Sequence, residues 1–474
     1  MDDLREFIER AEELGEYTVL ENADWDLEIG NITAWQASLP GSPLLMFDNI
    51  KGYKRGYRVA TNLFATESRV ALALGLPLEA TGMELVQAWR DKIKETVEPI
   101  PPAWLDTGPV KENVHLGDEV DLFGFPAPKW HELDGGRYIG TGCSVIMRDP
   151  DEGWVNMGAY RVQIHDKSVA TIYISPGKQG DIIRRKYWAK GKSCPVAVSC
   201  GQTPLLWGMS GVALPWGMSE YEYTGWLMKK PIEVTSGVAT DLPIPATAEI
   251  VLEGEIEPPG VDDRIEGPFG EWTGYYGSGA RPEPSFKVKS ILHRNDPILQ
   301  GSAPNVYNTH VLGTRTRRAA RLWNELDAQV SGIKGVWLVR EGHRFLIVIS
   351  IQQKYPGHAK QAALLAAGSA QTAYMWRWII VVDDDIDPSN ISDVLWALAT
   401  RADPGSIDVI TGCWGSALDP LLPPEQKRSG DLTHSGGIIL ACKPYHWINE
   451  FPQSFKLSLE VVEKTKKKWA RFFK

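Results

Sequence analysis

The sequence predicts a multidomain α+β protein, and three observations lead to this prediction. The chain has 474 residues, which is too long for a single hydrophobic core. Strand patterns dominate between residues 120 and 300, whereas strands and helices alternate after residue 310. We therefore expect an N-terminal α/β domain, a central β domain, a C-terminal α/β domain and a terminal helix. Their predicted bounds are 1–115, 116–310, 311–450 and 451–474.

The N-terminal domain begins with a predicted helix over residues 2–14. Either Asp2 or Asp3 can cap its first turn, and Gly15 can end it. Five apolar residues form a stripe on one face of this helix: Leu4, Phe7, Ile8, Ala11 and Leu14. A buried strand and a helical region follow, at 44–47 and 66–97. The Pro-rich segment 98–104 breaks the helical pattern, so we expect the first domain boundary just after it.

The central domain contains six segments with alternating or β-branched patterns, separated by turn residues. They lie at 140–149, 154–166, 167–175, 194–201, 244–257 and 285–292. This pattern predicts a mostly antiparallel domain of sandwich- or barrel-like architecture. In the C-terminal domain, helices are predicted at 312–329, 357–376 and 389–402, and strands at 345–351 and 378–382.

The terminal segment 455–474 has the pattern of an amphipathic helix with a basic face. A face exposed to solvent is the ordinary interpretation of such a pattern. Its apolar residues also permit contact with a neighbouring subunit, so both interpretations stay open. These apolar residues are Leu457, Val461, Trp469 and Phe472.

The composition is that of an ordinary globular protein, 43% hydrophobic and 23% charged. The net charge is −10 with both signs interspersed, which argues against a nucleic-acid partner. We find no charged-then-apolar leader and no apolar run of roughly 18 residues, so we expect neither secretion nor a membrane span. The five cysteines form no C-x-x-C pair, which predicts reduced, buried thiols in a cytoplasmic protein. They are Cys143, Cys194, Cys200, Cys413 and Cys442.

Three short motifs resemble known sites but lack a required feature. The segment 191–193, Gly-Lys-Ser, ends like a phosphate-binding loop, yet Lys186 occupies the earlier glycine position. The segment 277–279, Gly-Ser-Gly, lacks the third glycine of a dinucleotide fingerprint. The segment 383–385 is Asp-Asp-Asp, and consecutive residues at a strand end cannot all face one ion. We expect a structural role for these aspartates, mainly in capping and turn formation.

Two carboxylates, Glu266 and Glu271, flank a Gly-Pro-Phe-Gly turn. Gly267 and Gly270 permit a sharp reversal, and Pro268 fixes its own φ angle. Such a turn can direct both carboxylates into one pocket, where burial and neighbouring charge separate their pKa values. The alternative is a polar surface turn with two solvated carboxylates, which the spacing alone favours.

Asn156 and Arg161 fall in one predicted strand and offer an amide oxygen and a guanidinium fork. Their separation places them on opposite faces of a regular strand. If both serve one site, the strand needs a bulge, which we predict at Gly158. Further along, Ser219 and Glu222 have the Ser-x-x-Glu spacing of a capping box, so periodicity favours a helix-start role for Glu222.

Six segments occur in an order that carries a resemblance to a known family. They are NMGAYR (156–161), MSEYEYTGWL (218–227), PATAEIVLEGEI (245–256), EGPFGEWTGYY (266–276), YPGHAK (355–360) and DDDID with VLWALATRADP (383–387 and 394–404). Together they resemble the UbiD family of prenylated-flavin-dependent decarboxylases.

This resemblance implies an architecture, a cofactor and a reaction. Family members combine an N-terminal α/β region, a central split β-barrel of the flavin-reductase type and a C-terminal α/β domain. They bind prenylated FMN through a divalent ion, commonly manganese, beside a potassium or sodium ion. The implied reaction is the reversible, non-oxidative decarboxylation of an aromatic or α,β-unsaturated carboxylic acid. Such a reaction leaves a carbanion, whose electron pair a cofactor must accept.

The resemblance also implies roles for individual residues. Arg161, Glu266 and Glu271 match the catalytic set, in which Arg161 orients the substrate carboxylate and Glu271 returns a proton to carbon. Asn156 and Glu222 match ligands of the divalent ion. The residues implied to hold or line the cofactor are Thr141, Asn156, Gly158, Ala159, Arg161, Lys178, Gln179 and Glu222, and Trp154 falls near the monovalent ion.

The chain departs from the family pattern at Gln179, where members usually carry a histidine ligand. Either Gln179 replaces that ligand, which gives an all-oxygen protein shell, or it ends a turn and water takes the histidine's place. The late phosphate-contacting lysine of the family has no clear counterpart around 427–443.

Two other functions stay compatible with the sequence. One is a carboxylase subunit that fixes CO2 onto an aromatic ring with the same residues. The other is a non-catalytic flavin-binding scaffold subunit, which Gln179 favours and the intact catalytic set opposes. The expected partners are a small aromatic or unsaturated acid, a flavin prenyltransferase that supplies the cofactor, and further copies of the chain in a dimer or hexamer.

Overall fold

The structure is a computed structural model that describes residues 1–305, 314–457 and 459–472. Within these ranges the strands form four sheets, of four, ten, three and five strands. The predicted boundary at residue 310 lies outside the described residues.

The N-terminal layer is a four-stranded sheet with helices around it. Its strands, in sheet order, are β1 (Tyr17–Glu21), β2 (Leu44–Asp48), β3 (Arg58–Thr61) and β17 (Ile298–Gln300). Its helices are α1 (Leu4–Glu13), α2 (Glu28–Ala37), α3 (Glu67–Leu74) and α4 (Gly82–Lys92). Because β17 pairs in parallel with β3, the end of the central region forms a strand of this N-terminal sheet.

Helix α1 confirms the predicted N-terminal helix and its cap. The side chain of Asp3 accepts a hydrogen bond from the N–H of Glu6 at 2.9 Å. Four members of the predicted stripe are buried: Leu4, Phe7, Ile8 and Ala11. Leu14 lies beyond the last helical turn and is 39% exposed, so the predicted stripe is one residue too long. The helical region predicted at 66–97 divides into α3 and α4, since Gly75 adopts a left-handed φ of 62° that ends α3.

The central region is a ten-stranded sheet that curls into an open barrel. Its strands are β5 (Asn113–Leu116), β6 (Tyr138–Gly140), β7 (Cys143–Arg148), β8 (Val155–Gly158), β9 (Arg161–Asp166), β10 (Val169–Tyr173), β11 (Cys194–Cys200), β14 (Ile250–Ile256), β15 (Asp263–Glu266) and β16 (Arg281–His293). The sheet order is β6-β9-β10-β16-β14-β11-β7-β8, with β5 and β15 paired to β16. Only two residues connect β8 to β9, although these strands lie near opposite edges of this path. The sheet must therefore curve until its edges approach each other, which confirms the barrel-like prediction.

A three-stranded sheet and three helices pack on this barrel. The strands are β4 (Ala103–Leu105), β12 (Glu233–Ser236) and β13 (Pro243–Pro245), and the helices are α5 (Gln179–Ala189), α6 (Pro204–Ser210) and α7 (Glu220–Met228). Both α5 and α7 contact β8, so the first residues of two helices meet the end of one strand. This junction positions part of the candidate site.

The C-terminal domain is a five-stranded mixed sheet flanked by helices. Its strands are β18 (Ile333–Leu338), β19 (Leu346–Ile351), β20 (Trp378–Asp383), β21 (Asp408–Cys413) and β22 (His434–Ala441), in the order β18-β19-β20-β22-β21. Its helices are α8 (Thr314–Asp327), α9 (His358–Gly368), α10 (Ile391–Arg401) and α11 (Pro424–Ser429), and α12 (Leu459–Trp469) follows. Strands β19 and β20 confirm the two predicted strands. The helix predicted at 357–376 is shorter than expected, since α9 ends at Gly368, and residues 312 and 313 lie outside the described chain.

The aspartates at 383–385 have a structural role, as predicted, but ion pairs provide it rather than the expected capping. Arg401 binds Asp383 at 3.0 Å and Asp385 at 2.7 Å, and Lys443 binds Asp385 at 2.9 Å. These ion pairs tie the end of β20 to α10 and to the segment after β22. Throughout the described ranges, no group of three or more His, Cys, Asp or Glu residues has the arrangement of a metal site.

The five cysteines are free thiols, as predicted, but Cys413 is partly exposed rather than buried. None of the helices in the described part of the chain combines the length and apolar character that a membrane-spanning helix needs.

Candidate active site

The Gly-Pro-Phe-Gly turn after β15 is buried, so the alternative of a solvated surface turn is wrong. The side chain of Glu266 has no exposed area, and Glu271 is 6% exposed. Both carboxylates face Arg161, the first residue of β9. The turn therefore brings two acids and one guanidinium together.

Hydrogen bonds from the barrel hold this turn in place. Gly267 adopts a φ of 81°, a conformation that favours glycine, and its N–H donates to the side-chain oxygen of Gln163 at 2.9 Å. The N–H of Gly270 donates to the carboxylate of Asp134 at 2.9 Å. The carbonyl of Pro268 accepts the N–H of Gly135 at 2.8 Å. Because both ends of the turn are anchored, the two glutamates have fixed positions.

Arg161 binds Glu266 through two parallel hydrogen bonds, from Nε to Oε1 at 2.6 Å and from Nη2 to Oε2 at 2.9 Å. Its remaining nitrogen, Nη1, donates to Glu271. The guanidinium also lies 4.3 Å from the ring centre of Tyr173 and 5.2 Å from that of Phe269. This bidentate geometry and the aromatic contacts leave the guanidinium little freedom to rotate.

The two acids of the set have different environments. Burial raises the pKa of Glu271 above its usual value, and the positive charge of Arg161 opposes this shift only in part. Burial lowers the pKa of Arg161, but its hydrogen bond to Glu266 and the charges of both glutamates raise that pKa by more. Arg161 is therefore a permanent cation, and burial favours the protonated form of Glu271.

Sequence reasoning missed two further side chains of this set. Tyr138 places its hydroxyl 3.3 Å from Glu266, and burial raises the pKa of Tyr138, so the phenol stays protonated and can donate. Arg281 lies 3.7 Å from Glu266, with its guanidinium 4.0 Å from the ring centre of Tyr173. Two arginines thus face two glutamates. When Glu271 is protonated, these four side chains together carry a net positive charge.

The predicted bulge at Gly158 is wrong, because the chain changes strands there. Strand β8 ends at Gly158, and β9 begins at Arg161 on the other side of the barrel seam. A Cβ on Gly158 would lie 2.1 Å from the ring of Tyr160, so the absence of a side chain lets this ring close the seam. Because of this break, Asn156 and Arg161 do not share one regular strand, so both can reach the barrel rim without a bulge.

A second polar group lies where α5 and α7 meet β8. The amide nitrogen of Asn156 is 2.9 Å from the side-chain oxygen of Gln179 and 3.3 Å from a carboxylate oxygen of Glu220. Gln179 is the first residue of α5, and its own nitrogen donates to the carbonyl of Leu214 at 3.0 Å. That bond turns the oxygen of Gln179 toward Asn156.

The acid in this group is Glu220, whereas the resemblance was carried over to Glu222. Glu220 begins α7, is 1% exposed and accepts the N–H of Met157 at 2.7 Å. Glu222 lies two residues further along the helix, about 200° around its axis, and so faces away from Asn156. The capping box is also absent, since the side chain of Ser219 makes no capping hydrogen bond. The capping interpretation of Glu222 is therefore wrong, and the carboxylate that contacts Asn156 is that of Glu220.

The residues Asn156, Gln179 and Glu220 fit a divalent ion. The side-chain oxygen of Asn156 is buried and has no hydrogen-bond partner, while its nitrogen faces the two acceptors. A half-turn of this amide would bring three oxygens together, which are the ligands that manganese and magnesium prefer. Burial raises the pKa of Glu220 to about 8, because burial disfavours the ionised form of the carboxyl. A cation beside this carboxylate would therefore be favourable.

The other predicted positions have the following surroundings. The hydroxyl of Thr141 accepts the N–H of Ser302 at 2.9 Å, Ala159 is exposed, and Lys178 precedes α5. Trp154 packs against Trp216 with ring centres 5.0 Å apart.

Lys427 is the lysine in the segment 427–443 that reaches toward the turn region. Its ammonium donates to the carbonyl of Gly277 at 2.9 Å, just after the Glu271 loop. Lys443 is instead engaged by Asp385.

Comparison with known proteins shows the family of the chain. The chain matches three family profiles: the N-terminal, Rift-related and C-terminal domains of 3-octaprenyl-4-hydroxybenzoate carboxy-lyase, over residues 8–89, 104–306 and 310–442. The chain belongs to the UbiD family. It is thus a carboxy-lyase by family, with the α+β architecture of UbiD proteins.

Among its UbiD relatives, the pyrrole-2-carboxylic acid decarboxylase of Pseudomonas aeruginosa is 34% identical over 421 residues, covering 85% of this chain and 83% of that one. The structure of the UbiD-class enzyme HmfF from Pelotomaculum thermopropionicum in complex with FMN has a TM-score of 0.86 at 29% identity, covering 99% and 100% of the two chains. Vanillic acid decarboxylase of Sedimentibacter hydroxybenzoicus, solved in open and closed forms, has a TM-score of 0.83 at 29% identity and 99% coverage of both chains.

Proposed function

We propose that this UbiD protein decarboxylates an aromatic or α,β-unsaturated carboxylic acid with prenylated FMN as cofactor. The buried set of Arg161, Glu266 and Glu271 is the observation that carries this proposal. It combines a guanidinium held in one orientation with a buried carboxyl group that can donate a proton. The UbiD relatives supply further support, since one is named as a decarboxylase of an aromatic acid and another was solved with FMN.

In this mechanism Arg161 and Arg281 attract and orient the substrate carboxylate. With Glu271 protonated, the two guanidinium groups exceed the single charge of Glu266, so an anionic substrate is favoured. Glu266 accepts two bonds from Arg161 and holds it in one orientation. The substrate is therefore fixed before its carbon–carbon bond breaks.

Prenylated flavin, when bound, supplies the electron sink that no side chain provides. As CO2 leaves, the electron pair of the broken bond is left at the substrate carbon, where the bound sink would delocalise it until a proton arrives. Glu271 then gives its proton to that carbon, and solvent restores the proton on Glu271. A buried carboxyl suits this donor role, since burial raises its pKa and so favours the protonated form. In the reverse direction the same carboxylate would accept the proton.

Asn156, Gln179 and Glu220 would hold the cofactor phosphate through a divalent ion. Glu220 is the sole acid of the three, so the negative charge of the phosphate must neutralise much of the charge of the ion. We expect manganese, with potassium or sodium nearby at Trp154. The neighbouring positions Thr141, Gly158, Ala159 and Lys178 would line the cofactor.

The assembly is a further part of the proposal. Helix α12 and the segment before it expose Phe455 by 99%, Leu457 by 62% and Phe472 by 59%. Such apolar side chains favour burial against a second copy over a solvated face. A UbiD relative was solved in an evolved dimeric form. We expect a cytoplasmic homo-oligomer whose cofactor comes from a flavin prenyltransferase.

Co-expression with a flavin prenyltransferase tests the proposed function. Purified holoenzyme should release CO2 from at least one aromatic acid, or exchange the ring proton with deuterium from the solvent. Uptake of 13C-bicarbonate with net carboxylation would favour the carboxylase instead. Holoenzyme that retains prenylated flavin yet neither exchanges deuterium nor releases CO2 across a broad panel of acids would favour the scaffold.

A further inference from the structure

A short segment before β6, residues 131–135, packs against the turn that carries the two glutamates. The N–H of Gly135 donates to the carbonyl of Pro268 at 2.8 Å. A Cβ on Gly135 would lie 2.1 Å from the carbonyl oxygen of Gly267, so the two backbones are in direct contact. The position of this segment therefore bears on the position of the turn.

The carboxylate of Asp134 is the main polar contact between the segment and the turn. One of its oxygens accepts the N–H of Gly270 at 2.9 Å. The other accepts the backbone N–H of His131 at 3.0 Å and lies 3.2 Å from the ring nitrogen Nδ1 of that histidine. The side chain of Asp134 has no exposed area, so these protein donors are what hold it in place. We call Asp134 and His131 the turn clamp.

His131 connects the turn clamp to the end of the central region. Its Nε2 lies 2.8 Å from the carbonyl oxygen of Pro304, while its Nδ1 faces Asp134. An imidazole can donate through either nitrogen and an imidazolium through both, so the ring suits a position between two oxygens. A Cβ on Gly270 would lie 2.7 Å from Nδ1, so the glycine leaves the ring the space that it needs to reach Asp134. His131 thus fixes Asp134, and Asp134 fixes Gly270.

The two glutamates depend on the turn clamp to different degrees. Glu266 ends β15, and its carboxylate accepts two hydrogen bonds from Arg161 and one from the hydroxyl of Tyr138. Glu271 directly follows Gly270, and its carboxylate accepts a hydrogen bond from Nη1 of Arg161. Loss of the turn clamp should therefore displace Glu271 more than Glu266.

We propose that the turn clamp positions Glu271 for proton transfer to the substrate carbon, so that Asp134 and His131 are positioning residues of the reaction. This inference rests on the proposed function. A proton donor must lie within hydrogen-bond reach of the atom that it protonates, and a displacement of roughly 1 Å is enough to slow a reaction severely. The substrate carboxylate would instead be held by Arg161, which Glu266 orients independently of the turn clamp.

The alternative is that the turn clamp only stabilises the fold. In that case its loss would lower the melting temperature, and any effect on the rate would be the same whether or not residue 271 can donate a proton. A positioning role predicts the opposite, because a displaced donor matters only while there is a donor. A double-mutant cycle with Glu271→Gln separates the two roles.

Hydrogen–deuterium exchange of the full chain without flavin tests the position of the turn in the absence of turnover. Peptides that cover residues 266–276 should exchange about tenfold or more faster in Asp134→Ala than in the wild type, because the N–H of Gly270 loses its acceptor. Asp134→Asn keeps one acceptor oxygen and should lie between them. Thermal melting checks that each variant is folded, and if Asp134→Ala does not fold, Asp134→Asn decides the question.

Turnover of the holoenzyme tests the consequence for the reaction. Asp134→Ala should lower kcat by about tenfold or more with little change in KM, since the donor is displaced while Arg161 stays in place. His131→Phe keeps an aromatic ring but loses both ring nitrogens, so it should lower kcat by a smaller factor. In the Glu271→Gln background, Asp134→Ala should have little further effect.

Glu253→Gln is the matched control. Glu253 is a fully buried carboxylate of β14 that accepts the N–H groups of Val238 at 2.9 Å and Thr240 at 3.1 Å, so it also anchors a turn. This variant should lower the melting temperature but leave kcat and the exchange of residues 266–276 unchanged.

Three results would overturn the inference. Wild-type exchange of residues 266–276 in the Asp134 variants would show that the turn clamp does not hold the turn. Faster exchange with unchanged kcat would show that its hold does not serve the reaction. Equal losses of rate from Asp134→Ala in the wild-type and Glu271→Gln backgrounds would assign the turn clamp a structural role. Protection that depends on Asp134, in a holoenzyme that turns over no acid, would support the turn clamp and contradict only the proposed decarboxylase.

Discussion

Glu220 lies against Asn156, with a carboxylate oxygen 3.3 Å from the Asn156 amide nitrogen, and it is held there by the N–H of Met157 at 2.7 Å. This relationship assigns the acidic ligand of the proposed metal site to the first residue of α7. It also gives the site a matched pair of variants, because Glu222 lies on the same helix and faces elsewhere.

The first prediction compares Glu220→Gln with Glu222→Gln. Loss of the only acid among the three ligands should reduce bound metal and flavin by about tenfold or more in Glu220→Gln, in line with the loss of a charged interaction. Glu222→Gln should keep wild-type contents. Metal analysis and flavin absorbance of the purified proteins measure both. Normal contents in Glu220→Gln, or depletion only in Glu222→Gln, would return the ligand role to Glu222.

The choice between Glu220 and Glu222 shows what a sequence cannot specify. Both glutamates lie in the same motif, and choosing between them requires the rotation of α7 relative to β8, which long-range packing determines. Tyr138 and Arg281 were missed for a similar reason. They come from β6 and β16, and only the curled sheet brings them to Glu266.

Other features could be predicted because their causes are local. The cap and apolar face of α1 follow from residues within one helix, and alternation along the strands predicts the β domain. The set of Arg161, Glu266 and Glu271 came from the family resemblance, while their spacing alone favoured a surface turn. Strand β1 was missed because its residues are largely exposed and lack a buried pattern.

The second prediction concerns Gln179. With oxygen ligands only, the wild-type site should bind manganese or magnesium with flavin phosphate and should be poorly occupied in flavin-free protein. Gln179→His adds a nitrogen ligand and should raise affinity for zinc relative to manganese by about tenfold or more. Competition titrations in flavin-loaded protein measure this ratio. Tight metal binding by flavin-free wild type, or an unchanged ratio in the variant, would rule out Gln179 as a ligand.

A third prediction concerns movement of the domains. The Pro-rich segment 98–102 and the need to keep water from a carbanion favour closure of the N-terminal and β domains against the C-terminal domain. A UbiD relative, vanillic acid decarboxylase, has been solved in open and closed forms. Solution scattering of holoenzyme should show a smaller radius of gyration when a substrate analogue binds. An unchanged profile, together with unchanged domain positions across crystal forms, would argue against closure.

The fourth prediction is a pH dependence set by Glu271. Its pKa is raised, so the protonated donor is present at lower pH and is lost as pH rises through that pKa. The rate of product protonation should therefore fall with increasing pH. A single-turnover pH profile measures it, with substrate saturating so that binding is constant. A rate that rises over the same range would contradict the donor role.

The same shift predicts the stability of Glu271→Gln. A carboxyl with a raised folded-state pKa binds its proton more tightly when folded, so its ionisation costs stability once pH exceeds the unfolded-state value. Glutamine cannot ionise. The melting temperature of Glu271→Gln should therefore match or exceed that of the wild type, with the difference growing as pH rises.

Turnover of Glu271→Gln holoenzyme tests the central claim most directly. The variant keeps the size and hydrogen-bonding capacity of the side chain but has no proton to give to carbon. We expect it to retain prenylated flavin and metal, to melt no earlier than the wild type, and to lose CO2 release and deuterium exchange by about 10²-fold or more. Near-native rates in a variant with full cofactor content would contradict Glu271 as the proton donor.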